Sequence, residues 1–239
     1  SPLSQYRRKF EDCNNFKKTN EVLKTRNITI CWDPRVKVDP IDQIIDDRIT
    51  DLYDGRVVVF TDGSCWPNSS ESPESQGGYA AYFSEGSFMD TLLLGNIPNR
   101  PVHATNNRAE GFAIYRVLLY LEKNYDKWDH VEIFTDSHFW IDMFCKYMPL
   151  WENRKVSFKE KKNPDLTVPI WELFKKLTFS IGRCIDFTHV RGHNKDGWLN
   201  YPKHTYEYYC ARNNDYVDKL ATYARKKYKP SEDVVKMAD

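Results

Sequence analysis

Between Arg56 and Lys227 the chain alternates short β-branched runs with longer stretches in which apolar residues recur every three or four positions. Val57-Val58-Val59-Phe60 is unbroken, which predicts a buried strand, and it ends in Thr61-Asp62-Gly63-Ser64. Gly77 to Phe83 and Ser87 to Leu94 flank Glu85-Gly86 and predict two further strands of an antiparallel meander. Glu110, Ala113, Ile114, Val117, Leu118 and Leu121 share one stripe of a helix from about Asn106 to Asn124. Val131 to Thr135 predicts a fourth strand and Ser137 to Tyr147 a helix. A helix from Val168 to Phe179, a strand from Cys184 to Val190 and a last helix from Asn214 to about Lys227 follow. Strands and helices in this order predict an α/β fold, a mixed sheet with helices on both faces. No solenoid-type repeat is present.

Ahead of this block, residues 1–27 are polar and mixed in charge, without a clear period. Ile28 to Trp32 predicts a short strand. From Asp39-Pro40 onward Ile41, Ile44, Ile45, Ile49 and Leu52 fall on one helical stripe, with Asp42, Asp46, Asp47 and Asp51 opposite. The expected organisation is an N-terminal extension over 1–55, a main domain over 56–229 and a tail over 230–239.

Thirty-five Lys and Arg against 34 Asp and Glu leave a net charge of +1, so any phosphate-binding surface must be a local patch. The six cysteines lie far apart with no CxxC pair, which suits reduced thiols inside a cell better than a disulfide framework. The expected location is nucleus or cytoplasm rather than mitochondrion. No apolar run approaches the roughly 18–20 residues that span a bilayer. No signal peptide is visible, and a start at Ser1 leaves room for a removed targeting segment.

The chemistry is concentrated in acidic residues on element ends. Val131-Glu132-Ile133-Phe134-Thr135-Asp136-Ser137 repeats the pattern of the first strand: apolar run, Thr-Asp, small residue. Asp62-Gly63 alone reads as a turn closing a hairpin before it reads as catalytic, but two strands delivering an Asp at the same end suggest that two carboxylates converge. Glu110, expected in the first turn of its helix, shares the inward stripe, and Asp218 stands beside inward Val217 and Leu220 in the first turn expected of the last helix. Unpaired burial of a carboxylate is costly. Four of them with no matching Cys or His pattern favour a hard divalent cation, Mg²⁺ or Mn²⁺, and two such ions suit phosphodiester displacement.

Thr61-Asp62-Gly63-Ser64-Cys65, Thr105-Asn106-Asn107-Arg108-Ala109-Glu110, Thr135-Asp136-Ser137, His189-Val190-Arg191-Gly192-His193, and Asn214 with Asp218-Lys219-Leu220-Ala221 resemble, in order, the motifs of type 1 ribonuclease H. Trp151 and Pro164-Asp165-Leu166 through Trp171 resemble that family's basic protrusion. The resemblance spans about residues 56–227. It implies an RNase H-like five-stranded sheet, three antiparallel strands then two parallel. It also implies endonucleolytic hydrolysis of the RNA strand of an RNA–DNA hybrid with two Mg²⁺ ions per site, leaving 5′-phosphate and 3′-hydroxyl ends, by a monomer. Asp62, Glu110, Asp136 and Asp218 are then the metal ligands, Asp218 taking precedence over Asp215 because the family aspartate directly precedes x-Leu-Ala. His193 becomes a loop histidine that moves a proton or helps product leave.

Further by resemblance, Asn68, Asn106, Asn107 and the backbone at Ser64 and Cys65 read the minor groove, where the 2′-hydroxyl distinguishes RNA from DNA. Thr105 meets a DNA-strand phosphate, and His138 stands where bacterial members often have Gln. Asn214 belongs to the last motif. Lys146, Arg154, Lys155, Lys159, Lys161 and Lys162 against Glu152 and Glu160, interleaved with Tyr147, Trp151 and Phe158, make a local basic patch that grips the DNA strand, with Trp151 and Lys155 as contacts. Residues 1–55 do not resemble the hybrid-binding module of many eukaryotic members. The segment from Asn194 to Asn213 is longer than in bacterial members and is expected to form a lid, an extra hybrid contact or a self-packed loop. Three rivals stand beside this reading: a zinc site from His189, His193, His204 and Cys210, a non-cleaving hybrid binder, and another nuclease or integrase of the same fold.

Overall fold

The computed structural model describes residues 48–49, 52, 55–68, 74–84, 91–99, 102–192 and 197–227, all within a compact unit from Ile45 to Asp239. The N-terminal arm, the strand at 28–32, the Glu85-Gly86 turn, His193 and the tail over 230–239 lie outside the described residues. Of the acidic helix, Arg48, Ile49 and Leu52 are described and helical. Ile49 and Leu52 are buried as the stripe predicts, and Arg48 makes a two-pronged ion pair with Glu207 at 2.9 and 3.1 Å.

Five strands form one sheet: β1 (Arg56–Trp66), β2 (Gln76–Phe83), β3 (Leu92–Ile97), β4 (His130–Thr135) and β5 (Cys184–His189), in the order β3-β2-β1-β4-β5. The first three are antiparallel, and β4 and β5 run parallel to β1. β1 is central and buried on both faces, which is why its sequence is a continuous apolar run rather than an alternation. It does not stop at Asp62. Its pairing with β4 ends at Thr61↔Thr135, while its pairing with β2 continues to Trp66↔Gln76. Gly63 is therefore a strand residue, not a turn. β3 ends at Ile97, beyond the expected Leu94, because Gly95-Asn96 resembles a turn in sequence but pairs with Tyr79 and Gly78.

One face of the sheet (Val57, Val59, Ile133) packs on α1 (Asn106–Lys123) and α4 (Pro164–Lys175) through Ile114, Val117, Leu118, Leu121 and Ile170. The other face (Val58, Phe60, Phe134) packs on α5 (Tyr206–Lys227) through Val217, Ala221 and Cys210, with Leu52 beside them. Burying a core side chain of this kind contributes about 1.5–3 kcal/mol, so the two layers fix the strands whose ends carry the carboxylates. Between β4 and α4 lie α2 (His138–Asp142), a widened turn over Met143–Tyr147 and α3 (Met148–Asn153). There the Met148 N–H reaches back five residues to the Met143 carbonyl.

Two helices begin earlier than expected. α4 starts at Pro164, not Val168: Pro164 occupies the first turn, where its missing N–H is not needed, and Pro169 is accommodated inside the helix. α5 starts at Tyr206, not Asn214, so Asp218 lies in its interior rather than its first turn. The long loop is correspondingly short. Tyr209 sits on the helix, stacks edge-on against Phe60 and donates to Ser84 Oγ at 2.9 Å. Among the described residues no helix is long and apolar enough to cross a membrane.

Candidate active site

Asp62 and Asp136 follow Thr61 and Thr135, which face each other in the parallel register, so the chain brings the two carboxylates side by side at one end of the sheet. Phe60 and Phe134, two residues earlier on each strand, stack at 4.6 Å beneath them. Thr61 Oγ1 donates to the Phe134 carbonyl at 3.3 Å and locks the two strands at this level. Asp62 is 5% exposed, and its Oδ1 accepts from the Gly63 N–H at 2.7 Å.

Glu110 arrives from α1. Thr105 caps that helix, its Oγ1 accepting from the Arg108 N–H at 3.3 Å. Glu110 stands just past the first turn rather than in it, and it accepts a 2.5 Å hydrogen bond from Ser137 Oγ, the residue after Asp136. The approach of α1 to β1 explains the glycine at 63. A Cβ there would lie 2.1 Å from the Glu110 backbone nitrogen, so only glycine lets the helix start touch the strand.

Asp218 reaches the same end from α5. Burial pushes the Asp62 carboxyl well above the usual carboxylate range, and the charges of Asp136, Asp218 and Glu110 push it further against the Gly63 hydrogen bond. All four carboxylates therefore act on one point. They form an open set: no three of them bring oxygens all within 4.8 Å of one another. Oxygen-only donors around a buried, mutually repelling cluster match a hard divalent cation. Asp215 is committed elsewhere, accepting from Lys219 Nζ at 2.6 Å and Trp198 Nε1 at 3.1 Å.

The segment Val190–Gly192 closes one side. A Cβ on Gly192 would lie 2.0 Å from Asp136 Oδ2, so the chain just before His193 runs against that carboxylate. His138 and His189 stack at 3.6 Å, and His189 hydrogen-bonds the Asp136 backbone; burial, then the neighbouring His138, lower its pKa. His189, His204 and Cys210 do not converge as zinc ligands among the described residues.

The expected substrate contacts fall in two places. Near the carboxylates, Asn106 Oδ1 accepts from the Cys65 N–H at 2.7 Å and the Asn106 N–H donates to Asn68 Oδ1 at 3.0 Å. Asn107 is exposed, and its carbonyl accepts from Trp140 Nε1 at 2.7 Å. Ser64 Oγ lies 3.3 Å from Thr222 Oγ1 and ties β1 to α5. Asn214, one turn before Asp218, is buried with its Oδ1 unpartnered in the protein. The basic patch is separate, on α3 and the loop after it. Trp151 is flanked by Tyr147 at 6.0 Å and Phe158 at 5.5 Å, with the Lys161 ammonium 5.3 Å from its ring centre. Lys155 is exposed, with a left-handed backbone (φ 54°).

Sequence reasoning missed two features. Arg108, 2% exposed, pairs with Asp165 at 2.5 and 3.0 Å and with Asn163 Oδ1 at 3.1 Å, joining the start of α1 to the start of α4. Its signal was a lone arginine among inward positions. Trp66 is 70% exposed beside Cys65 and Asn68; a tryptophan ending a strand beside expected contacts was the signal there.

A family model described as RNase H matches residues 54–226. The chain is 29% identical over 140 residues to the "Ribonuclease H" of Polaromonas naphthalenivorans (strain CJ2), covering 59% of this chain and 78% of that one. It is 28% identical over 140 residues to that of Albidiferax ferrireducens, covering 59% and 84%. Among solved structures, the protease–reverse transcriptase of prototype foamy virus aligns with a TM-score of 0.51 at 20% identity, over 72% of this chain and 21% of that one, a likeness of fold alone.

Proposed function

The chain belongs to the RNase H family, and from that premise we propose that it cuts the RNA strand of RNA–DNA hybrids endonucleolytically, leaving 5′-phosphate and 3′-hydroxyl ends. It is a ribonuclease H by family and by its relatives, and the family works with divalent metal ions. The observation that carries the proposal is the convergence of Asp136, Asp218 and Glu110 on buried Asp62.

Asp62, Glu110, Asp136 and Asp218 would hold the cations, since all four carboxylates act on one buried group at the same end of the sheet. Bound there, two Mg²⁺ ions, or Mn²⁺ in their place, would supply activation of a water and charge stabilisation at the leaving oxygen of the phosphodiester. The protein's own share is positional. Ser137 Oγ holds the Glu110 carboxylate, Gly192 packs on Asp136, and the β1–β4 register sets the two aspartates abreast. His193, which follows Gly192 directly, takes the proton-moving or product-release role.

For substrate, Asn106 keeps its amide NH₂ for a ligand because its carbonyl oxygen is already held by Cys65. With Asn68, Asn107 and the Ser64–Cys65 backbone it faces the minor groove, where 2′-hydroxyls lie, and Thr105 meets a DNA phosphate. The exposed lysines around Trp151 take the DNA backbone electrostatically. The protein acts as a monomer.

Cleavage of end-labelled hybrid, duplex RNA and duplex DNA, measured side by side with Mg²⁺, tests this. Internal cuts confined to the RNA of the hybrid are expected. Hybrid binding without cutting would return the reading to a non-cleaving binder, and equal cutting of duplex DNA to another nuclease of the fold.

A further inference from the structure

At the end of the sheet opposite Asp62 a different set of side chains meets. His130 opens β4 and Cys184 opens β5, directly facing each other in the parallel register, and Asp186 stands two residues along on the same face. His130 Nε2 lies 2.7 Å from Asp186 Oδ2, and Cys184 Sγ lies 3.8 Å from the same oxygen. One ligand atom of each lies within 4.8 Å of the other two, and among the described residues no other three His, Cys, Asp or Glu side chains meet this condition. A tetrahedral ion with bonds of ~2.0–2.3 Å holds its donors about 3.3–3.8 Å apart. The Cys184–Asp186 distance lies at the upper limit of that range and the His130–Asp186 distance below it, so small rotations of these side chains suffice. Cys184 and Asp186 are exposed, which gives an ion direct access. Two cations border these residues and each is held by an acid: Arg56 on β1 by Glu132 at 3.7 Å, and Arg183, the residue before Cys184, by Asp129.

We propose that His130, Cys184 and Asp186 form a second metal site, one that takes a zinc-class cation with its fourth position left to water. An imidazole, a thiolate and a carboxylate together suit a borderline-soft ion and disfavour Mg²⁺, which requires oxygen donors. The site is separate from the carboxylate cluster. Asp136 lies six positions beyond His130 along β4 and its end, about 20 Å at ~3.3 Å per residue. Binding replaces the Cys184 thiol proton, which leaves to solvent as the metal–sulfur bond forms. It also ties β5, an edge strand, to β4 at the end remote from the Val190–Gly192 segment.

The test is Co²⁺ titration of the full chain carrying Asp136→Asn, which perturbs the carboxylate cluster and leaves the proposed site untouched. One equivalent of Co²⁺ is expected to produce a thiolate-to-cobalt charge-transfer absorption, displaced by Zn²⁺ and unaffected by excess Mg²⁺. Cys184→Ser abolishes the absorption, and His130→Ala weakens Co²⁺ binding by about 10-fold or more. Circular dichroism verifies that both variants fold. Absence of the band, or a band of equal strength in Cys184→Ser arising from another of the six cysteines, overturns the proposal.

Discussion

Replacing Asp165 by Asn removes the counter-charge of a guanidinium that is almost wholly out of water. Arg108 is 2% exposed and is held by Asp165 through two bonds, at 2.5 and 3.0 Å, and by Asn163 Oδ1 at 3.1 Å. Breaking a buried ion pair from one side costs about 3–5 kcal/mol because the remaining charge is stranded. Two features reduce that here. The Asp165 side chain is itself 26% exposed, and the Asn163 carbonyl and one carbonyl of the new Asn still accept. The expected loss is therefore about 2–4 kcal/mol, a large fraction of the roughly 5–15 kcal/mol that holds a domain folded. Urea denaturation reads it as a lower midpoint at unchanged slope. A double-mutant cycle isolates the pair: Arg108→Met with Asp165→Leu should cost clearly less than the two single changes summed, because no charge is left stranded. A loss below about 0.5 kcal/mol for Asp165→Asn, the range of ordinary surface changes, or strict additivity in the cycle, would refute the reasoning.

Other perturbations address the carboxylate end directly. Asp62 keeps its proton more tightly folded than unfolded, so without metal the stability falls as pH rises from the ordinary Asp value of about 3.9 up to the raised one. Asp62→Asn should flatten that slope in urea midpoints measured in chelator, and should lower hybrid cleavage by more than about 100-fold, beyond the cost of losing an outer-shell partner. Gly63→Ala drives a Cβ to 2.1 Å from the Glu110 backbone nitrogen; backbone cannot yield cheaply, so a thermal melt should show a loss at or above the top of the usual range of about 1–3 kcal/mol. Gly192→Ala meets the Asp136 side chain, from Oδ2 back to its Cβ, rather than backbone, so the melt should move less than for Gly63→Ala while titration calorimetry shows weaker divalent-ion binding. Lys155→Ala together with Lys159→Ala should lower the slope of log affinity for hybrid against log salt by about one for each phosphate that is no longer neutralised.

The strands, and the meeting of Asp62 and Asp136 at one sheet end, were legible because each is written locally. An unbroken Val-Val-Val-Phe run has few readings other than a buried strand, and Thr-Asp after two such runs marks the same end of the sheet twice. The limits of the elements were less legible, since they depend on partners. β1 outlasts its pairing with β4 because β2 continues alongside it, and nothing within Gly63-Ser64-Cys65-Trp66 announces this. The start of α5 was hidden by its tyrosines, which read as loop aromatics. In the fold Tyr209 lies on Phe60 and Tyr82 meets Tyr216 edge-on at 4.9 Å, so the helix is set by packing against the sheet rather than by a clean apolar stripe. Arg108 was invisible as a brace because its partners lie 55 and 57 residues further on.

The central claim is that Asp62, Glu110, Asp136 and Asp218 act together as the cation-holding centre of hybrid cleavage. Its most direct test is the rate of RNA-strand cleavage in a strand-labelled hybrid, with Mg²⁺, by the wild-type chain and by Asp62→Asn, Glu110→Gln, Asp136→Asn, Asp218→Asn and Asp215→Asn. The account predicts severe loss in the first four, with folding retained, and near-normal cleavage in Asp215→Asn. Full activity in any of the four, or loss in Asp215→Asn equal to theirs, would contradict it.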